Sequence, residues 1–210
     1  LPQACRYAEL LATHGVTRGL IGPRETPRLW DRHLVNCALV AELLPERGKL
    51  VDIGSGAGLP GLVLALLRPS LRVVLLEPLL RRSVFLEECV ADLALENVSV
   101  VRARAEERAA ARMAADYATA RAVAPLDKLV GWAAGLLRPG GELLALKGQS
   151  AEAEIAAAGP VLSRLGVRST EVLQASHGRV ISATTVVRVV MGDQGREERA
   201  GAQRSRRGVA

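Results

Sequence analysis

The chain has 210 residues, 49% hydrophobic and 24% charged, enough for one domain with its own core. Its longest purely aliphatic run, Leu62 to Leu67, falls far short of the roughly 20 residues a membrane span needs, and no charged-then-apolar leader precedes a small-residue cleavage site, so a soluble, unexported, cytoplasmic protein is expected. The scattered Cys5, Cys37 and Cys89 form no C-x-x-C pair and argue against a disulfide framework or a metal site, while a net charge of +6 favours a polyanionic partner.

In chain order, Gln3 to His14 reads as a helix with Tyr7, Leu10 and Leu11 on one stripe and Gly15 as its terminator. His14 then sits near the helix C-terminus, where the dipole favours it. In a second helix Thr26 is the expected N-cap and Pro27 the first helical residue, with Trp30, Leu34, Cys37 and Ala41 on one face as far as Pro45. From Leu50 the pattern changes. Apolar runs at Leu50 to Ile53, Leu71 to Glu77, Val98 to Arg102, Asp116 to Arg121 and Glu142 to Lys147 alternate with helical stretches at Pro60 to Leu67, Leu80 to Leu95, Ala105 to Ala114 and Pro125 to Leu137. Such alternation implies parallel strands joined by right-handed crossovers, with both sheet faces covered: a three-layer α/β fold. Ala151 to Ala158 reads as a helix ending at Gly159-Pro160, followed by two strands, Thr170 to Ala175 and Ala183 to Val190, that reverse around Ser176 to Arg179. The expected organisation is a helical extension over 1–48, the α/β domain over 49–191 and a disordered basic tail over 192–210.

The chemistry concentrates at Asp52-Ile53-Gly54-Ser55-Gly56-Ala57-Gly58-Leu59-Pro60-Gly61, at the exit of the first strand. Glycines there let the backbone turn sharply and approach a ligand in the crevice where open α/β sheets bind cofactors. Gly56 to Gly61 also satisfies a bare G-x-G-x-x-G, so charge must choose the ligand. A carboxylate at Asp52 disfavours a pyrophosphate and favours the ammonium and sulfonium of S-adenosylmethionine. Glu77 ends the second strand, where a carboxylate accepts ribose hydroxyls, and Glu106 follows the third, where it accepts from an adenine amino group. Three acids at successive strand ends predict a negatively lined slot for a cationic donor. The bland alternative is that Asp52 caps the helix after the turn.

Asp52 to Gly61, Leu76-Glu-Pro-Leu-Leu-Arg-Arg82, Arg104-Ala-Glu-Glu107, Arg121-Ala-Val-Ala-Pro-Leu126 and Leu146-Lys-Gly148 together resemble the small-subunit ribosomal RNA methyltransferase G family, also known as glucose-inhibited division protein B. Gly22-Pro-Arg-Glu25 and Trp30-Asp-Arg-His33 are most similar to its actinobacterial members. The resemblance implies a Rossmann-like class I methyltransferase fold, with a mostly parallel sheet, an antiparallel C-terminal strand and a helical N-terminal extension. It implies methyl transfer from S-adenosyl-L-methionine to N7 of a guanine in 16S ribosomal RNA, on naked RNA or a small-subunit ribonucleoprotein, by a monomer. It also implies cofactor contacts at Gly54, Leu59, Ala105, Glu106 and Arg121. Asp52, Gly56, Gly58 and Glu77 join them on the charge and backbone argument above. The chain departs from many members in having Asn36-Cys37 after the His of the second helix, and Glu77 where others have Asp.

N7 of guanine offers an in-plane lone pair and no proton to remove, so catalysis rests on alignment and needs no general base. Lys147, at the end of the fifth strand, is expected to hold an RNA phosphate or a guanine carbonyl, and His33 to wall the guanine pocket; a packing role is the competing reading for His33. Arg28, Arg32, Arg81 and Arg82 are candidate RNA contacts, although Arg81 and Arg82 open a helix, where cations oppose the dipole, and could instead pair with Glu87 or Glu88. His177 is expected to be exposed. Two alternatives stay open: a nicotinamide-dependent oxidoreductase using the glycine turn, and a non-catalytic RNA-binding assembly factor with the same fold.

Overall fold

The computed structural model describes residues 1–107, 113–178 and 183–193. Helix α1 (Pro2–Leu10) runs on into a wider π-type turn over Leu11–Gly15 and continues through Val16 and Thr17, so Gly15 does not terminate it; the left-handed residue past its end is Gly19 at φ +66°. The second helical stretch winds unevenly: a 3-10 segment (Pro23–Arg28), a π-type segment (Leu29–Val35), a short α2 (Asn36–Ala38) and a second 3-10 segment (Leu39–Leu43). Winding starts at Pro23 with no side-chain cap, so Thr26 is not the N-cap and Pro27 lies inside the segment. The π turns close through i→i+5 bonds and shift the buried stripe. It passes through Leu29, His33, Leu34, Cys37 and Ala41 and leaves Trp30 44% exposed, not buried as the simple α-helical face predicts.

The α/β region follows as β1 (Gly48–Ile53), α3 (Gly61–Leu67), β2 (Leu71–Leu76), α4 (Leu80–Asp92), β3 (Val98–Val101), β4 (Ala115–Arg121), α5 (Leu126–Leu136), β5 (Leu137–Leu146), α6 (Ala151–Arg164), β6 (Val167–Ala175) and β7 (Thr184–Met191). Among the described residues the sheet has seven strands in the order β3-β2-β1-β4-β5-β7-β6. The first five are parallel, and β7 lies antiparallel to both β5 and β6. This is the mostly parallel sheet with an antiparallel C-terminal strand that the resemblance implies. Two helical expectations change. Ala105 to Glu107, and Met113 with Ala114, are not helical, and residues 108–112 of that expected helix lie outside the described residues. Helix α6 continues through Gly159-Pro160 to Arg164. Pro160 forgoes one helix bond, but Ala158 and Leu162 on either side of it are buried in the same core and hold the helix together.

Side chains alternate across the sheet, so each strand feeds two cores. Leu50, Val73, Leu75, Leu144 and Val186 face the N-terminal helices, α3 and α4; Val51, Ile53, Val74, Leu76 and Ala118 face α5 and α6. The N-terminal segment thus shares a core with β1 and β2. Arg6 grips Asp92 of α4 through two bonds of 2.7 and 2.8 Å, and the buried Tyr7 hydroxyl donates to the carbonyl of Ala57 at 2.8 Å. That last bond fastens α1 to the glycine turn. Tyr7→Phe is therefore expected to lower stability by about 1 kcal/mol, read from the urea midpoint at unchanged m-value; an unchanged midpoint would show that the bond contributes nothing.

Candidate active site

The chain leaves β1 toward β2 on one side, while β4 and β5 continue the sheet on the other, so the carboxyl ends of β1 and β4 flank the topological switch point where open α/β sheets take ligands. A cavity of about 530 Å³ opens there, a size typical of small-molecule sites. Gly54 and Gly56 turn the chain at its base with φ of +66° and +58°, the left-handed region that suits glycine. A Cβ on Gly54 would stand 2.9 Å from Val123, so the missing side chain lets the turns after β1 and β4 touch.

Glu77 follows directly on β2 and lines this cavity while being only 1% exposed. One carboxylate oxygen accepts the N–H of Gly56 at 2.9 Å and the other the N–H of Leu79 at 3.0 Å. Each oxygen keeps further acceptor capacity for a ligand. Leu59, Ala105, Glu106 and Arg121 also line the cavity. Gly58 does not. Its φ of +96° and a Cβ position 2.4 Å from Leu62 and 2.9 Å from the Tyr7 hydroxyl turn it toward the core, where it shapes the loop.

Asp52 requires correction. It shares a sheet face with Leu50, lies behind the glycine turn fully buried, and does not line the cavity. Its Oδ2 accepts the N–H of Gly61 at 3.1 Å at the start of α3, while Oδ1 has no hydrogen-bond partner among the described residues. Burial raises this carboxyl from an ordinary 3.8 to about 7, with the Gly61 amide opposing the rise. Nor is the cavity negatively lined: Arg82, Arg104 and Arg121 share it with Glu77 and Glu106. The mixture suits a ligand that carries a carboxylate besides its positive centres.

His33 lines the cavity from the π-type segment. Its Nδ1 meets a guanidinium nitrogen of Arg121, and its Nε2 lies 2.9 Å from Glu25 Oε2. Arginine only donates, so Nδ1 is the acceptor and Nε2 carries the proton toward Glu25. Burial, then the Arg121 charge, push the His33 pKa below its ordinary value and favour this neutral form. Arg121 also donates to Cys37 Sγ at 3.2 Å. Sequence reasoning missed Glu25 and Cys37, because eight residues separate Glu25 from His33 and only the uneven winding brings them together.

A second hollow of about 390 Å³ shares Arg121 and Ala122 with the first and is lined also by Arg32, Asn36, Lys147 and Glu154. Ala122 is left-handed at φ +54°, a strained position for an L-residue. Lys147 donates to the carbonyl of Ala124 at 2.9 Å and to Glu154 Oε2 at 2.6 Å, a partner that strand-end reasoning did not supply. Arg82 stands 4.0 Å from Glu77, and Glu88 pairs with Arg18 at 2.6 Å, so among the described residues the alternative pairing of Arg82 with Glu87 or Glu88 is not made. Arg32 faces Glu25 at 3.3 Å; Arg28 and Arg81 are exposed and line neither cavity. His177 is exposed, 3.8 Å from Glu42.

Because the folded chain keeps the Asp52 proton to about pH 7 while the unfolded chain releases it near 3.8, stability from this group is full below pH 4 and is lost as pH rises toward and through 7. Asp52→Asn, which retains an acceptor for Gly61, is expected to gain stability over the wild type by at least about 1 kcal/mol at pH 8, with the gain vanishing toward pH 4. Denaturant titrations across that range check it; a pH-independent difference would contradict the buried acid.

Residues 1–182 match the family described as rRNA small subunit methyltransferase G. The chain is 62% identical over 191 residues to the Ribosomal RNA small subunit methyltransferase G of Thermobifida fusca, covering 91% of this chain and 80% of that one. It is 57% identical over 190 residues to that of Streptomyces coelicolor, covering 90% and 80%. Among solved structures, M. jannaschii TYW2 in complex with AdoMet superposes with a TM-score of 0.58 at 18% identity over 77% of this chain and 76% of that one. A Streptococcus thermophilus rRNA methylase gives 0.52 at 16% over 75% and 95%. These two likenesses speak for the fold. With its switch-point cavity, its glycine turn and matches of this length and identity, the chain belongs to the rRNA small subunit methyltransferase G family.

Proposed function

We infer that this chain transfers a methyl group from S-adenosylmethionine to N7 of a guanine in 16S ribosomal RNA, presented naked or in a small-subunit particle. The observation that carries the reading is the buried Glu77 carboxylate, locked by two backbone N–H groups and open to the cavity at the end of β2. The residues present fit the cofactor. Glu77 offers acceptors to vicinal ribose hydroxyls, Ala105 and Glu106 stand beyond β3 where the adenine belongs, Leu59 supplies apolar wall, and Arg121 is the guanidinium that balances a carboxylate. Bound there, S-adenosylmethionine supplies a methyl group on a positively charged sulfur.

Asp52 contributes by holding the turn rather than by touching the ligand. It occupies the first free N–H of α3, the place where dinucleotide-binding folds receive a pyrophosphate, which weighs against the oxidoreductase alternative. His33 has both ring nitrogens engaged and holds Arg121 in place; it is a positioning residue, and N7 needs no base. Arg32 and Arg82, at the rims of the two cavities, and the exposed Arg28 and Arg81 serve as phosphate contacts that fix the RNA without reading it.

The test incubates the chain with methyl-labelled donor and with 16S rRNA or small-subunit particles, and identifies the modified nucleoside by mass spectrometry. N7-methylguanosine is expected; label confined to protein or placed on another atom overturns the reading. Gly54→Ala, which pushes a methyl against Val123, is expected to weaken S-adenosylhomocysteine binding at least tenfold for about 1 kcal/mol of lost stability. Calorimetry showing wild-type affinity would remove the glycine turn from the site.

A further inference from the structure

Guanine N7 lies in the deep, narrow major groove of A-form RNA, which side chains do not read. An enzyme that modifies it needs a recess for an extruded base beside the methyl donor. The second hollow adjoins the cofactor cavity across Arg121 and Ala122. At its wall the Lys147 side chain, 11% exposed, spends two N–H groups on Ala124 and Glu154, and its third has no partner among the described residues. An ammonium only donates, so the group it suits at purine position 6 is the carbonyl of guanine and not the amino group of adenine.

A lone lysine would be a poor choice for this task. The N7 lone pair forms the new N–C bond as the S–C bond breaks and leaves its electrons on sulfur; the positive charge passes to the purine and no proton changes place. A second cation beside the ring opposes that charge, and Arg121 already stands nearby. Glu154 answers the difficulty. Its carboxylate is fixed by Lys147, by the Ser150 hydroxyl at 3.1 Å and by the N–H of Leu126 at 3.1 Å. Burial pulls its pKa up, but the Lys147 hydrogen bond and charge, with the Ser150 and Leu126 hydrogen bonds, together outweigh burial and hold it below the ordinary value, so the group is anionic. A carboxylate is also what stabilises a developing cation.

We propose that the Lys147–Glu154 pair reads O6 of the acceptor guanine through a donor whose charge is cancelled in advance, so that the base is recognised without resisting the positive charge it acquires. This rests on the N7 reading above and assigns its base-recognition site.

A double-mutant cycle tests it, with Glu154→Gln, Lys147→Gln and both together assayed for kcat on rRNA, alongside S-adenosylhomocysteine affinity and Tm. Glu154→Gln keeps an acceptor for Leu126 but strips the cancelling charge, and alone should lower kcat on the order of 100-fold at unchanged cofactor affinity. In the Lys147→Gln background, where the donor is neutral, the same change should cost less than about threefold. Equal costs in both backgrounds, or wild-type kcat in Glu154→Gln, overturn the proposal. A second arm needs no Glu154 variant. With the acceptor guanine replaced by 2,6-diaminopurine, the wild type should lose activity at least about tenfold, and Lys147→Met should lose that preference; a preference that survives in Lys147→Met overturns the proposal while leaving N7 transfer intact. A wild-type chain that makes no N7-methylguanosine overturns the functional reading together with this one.

Discussion

The Glu77 carboxylate is the constraint around which the site is arranged. It ends β2, yet its two oxygens hold the turn after β1 through Gly56 and the entry to α4 through Leu79. A buried carboxylate with such partners is expensive to leave unpaired, and this cost makes the crossing from strand to turn to helix a single unit. The glycine turn gains a fixed position without a rigid sequence of its own. The same side chain lines the ligand cavity, so one group both braces the backbone and shapes the cavity wall. Removing it loosens both functions together.

A different logic governs the far side of the switch point. Arg121, at the end of β4, is held by His33 and Cys37 from the N-terminal segment, and His33 is held in turn by Glu25. The N-terminal helices therefore do more than cover the sheet. They set the orientation of a guanidinium that lines both cavities, and they do so through neutral partners, leaving its charge for ligands.

Much of this was legible in the sequence. The alternation of apolar runs gave the parallel strands; the reversal at Ser176 gave the antiparallel pair; the glycines after Ile53 and the acid after Leu76 marked the crevice. What escaped had specific causes. Asp52 was placed beside the ligand because of its adjacency to the turn, whereas strand alternation puts it with Leu50 on the face that packs against α3. The partnerships of His33 with Glu25 and of Lys147 with Glu154 depend on a π-type winding and on the docking of α6 against α5, where Glu154 accepts the N–H of Leu126, neither of which has a local signature. The helix expected to end at Gly159-Pro160 continued because burial on both sides outweighed a local breaker, as tertiary context commonly does.

The order of the strands has a consequence for how the chain is made. Among the described residues strand β6 pairs only with β7, and β7 is the strand that joins it to β5. During synthesis, then, β6 emerges with no neighbour to receive it, and its open edge stays unprotected until Met191 has been added and β7 slots between the two. The parallel half, with every residue that lines the crevice, is complete in sequence well before that moment, so the binding machinery is on the chain before its margin can be sealed.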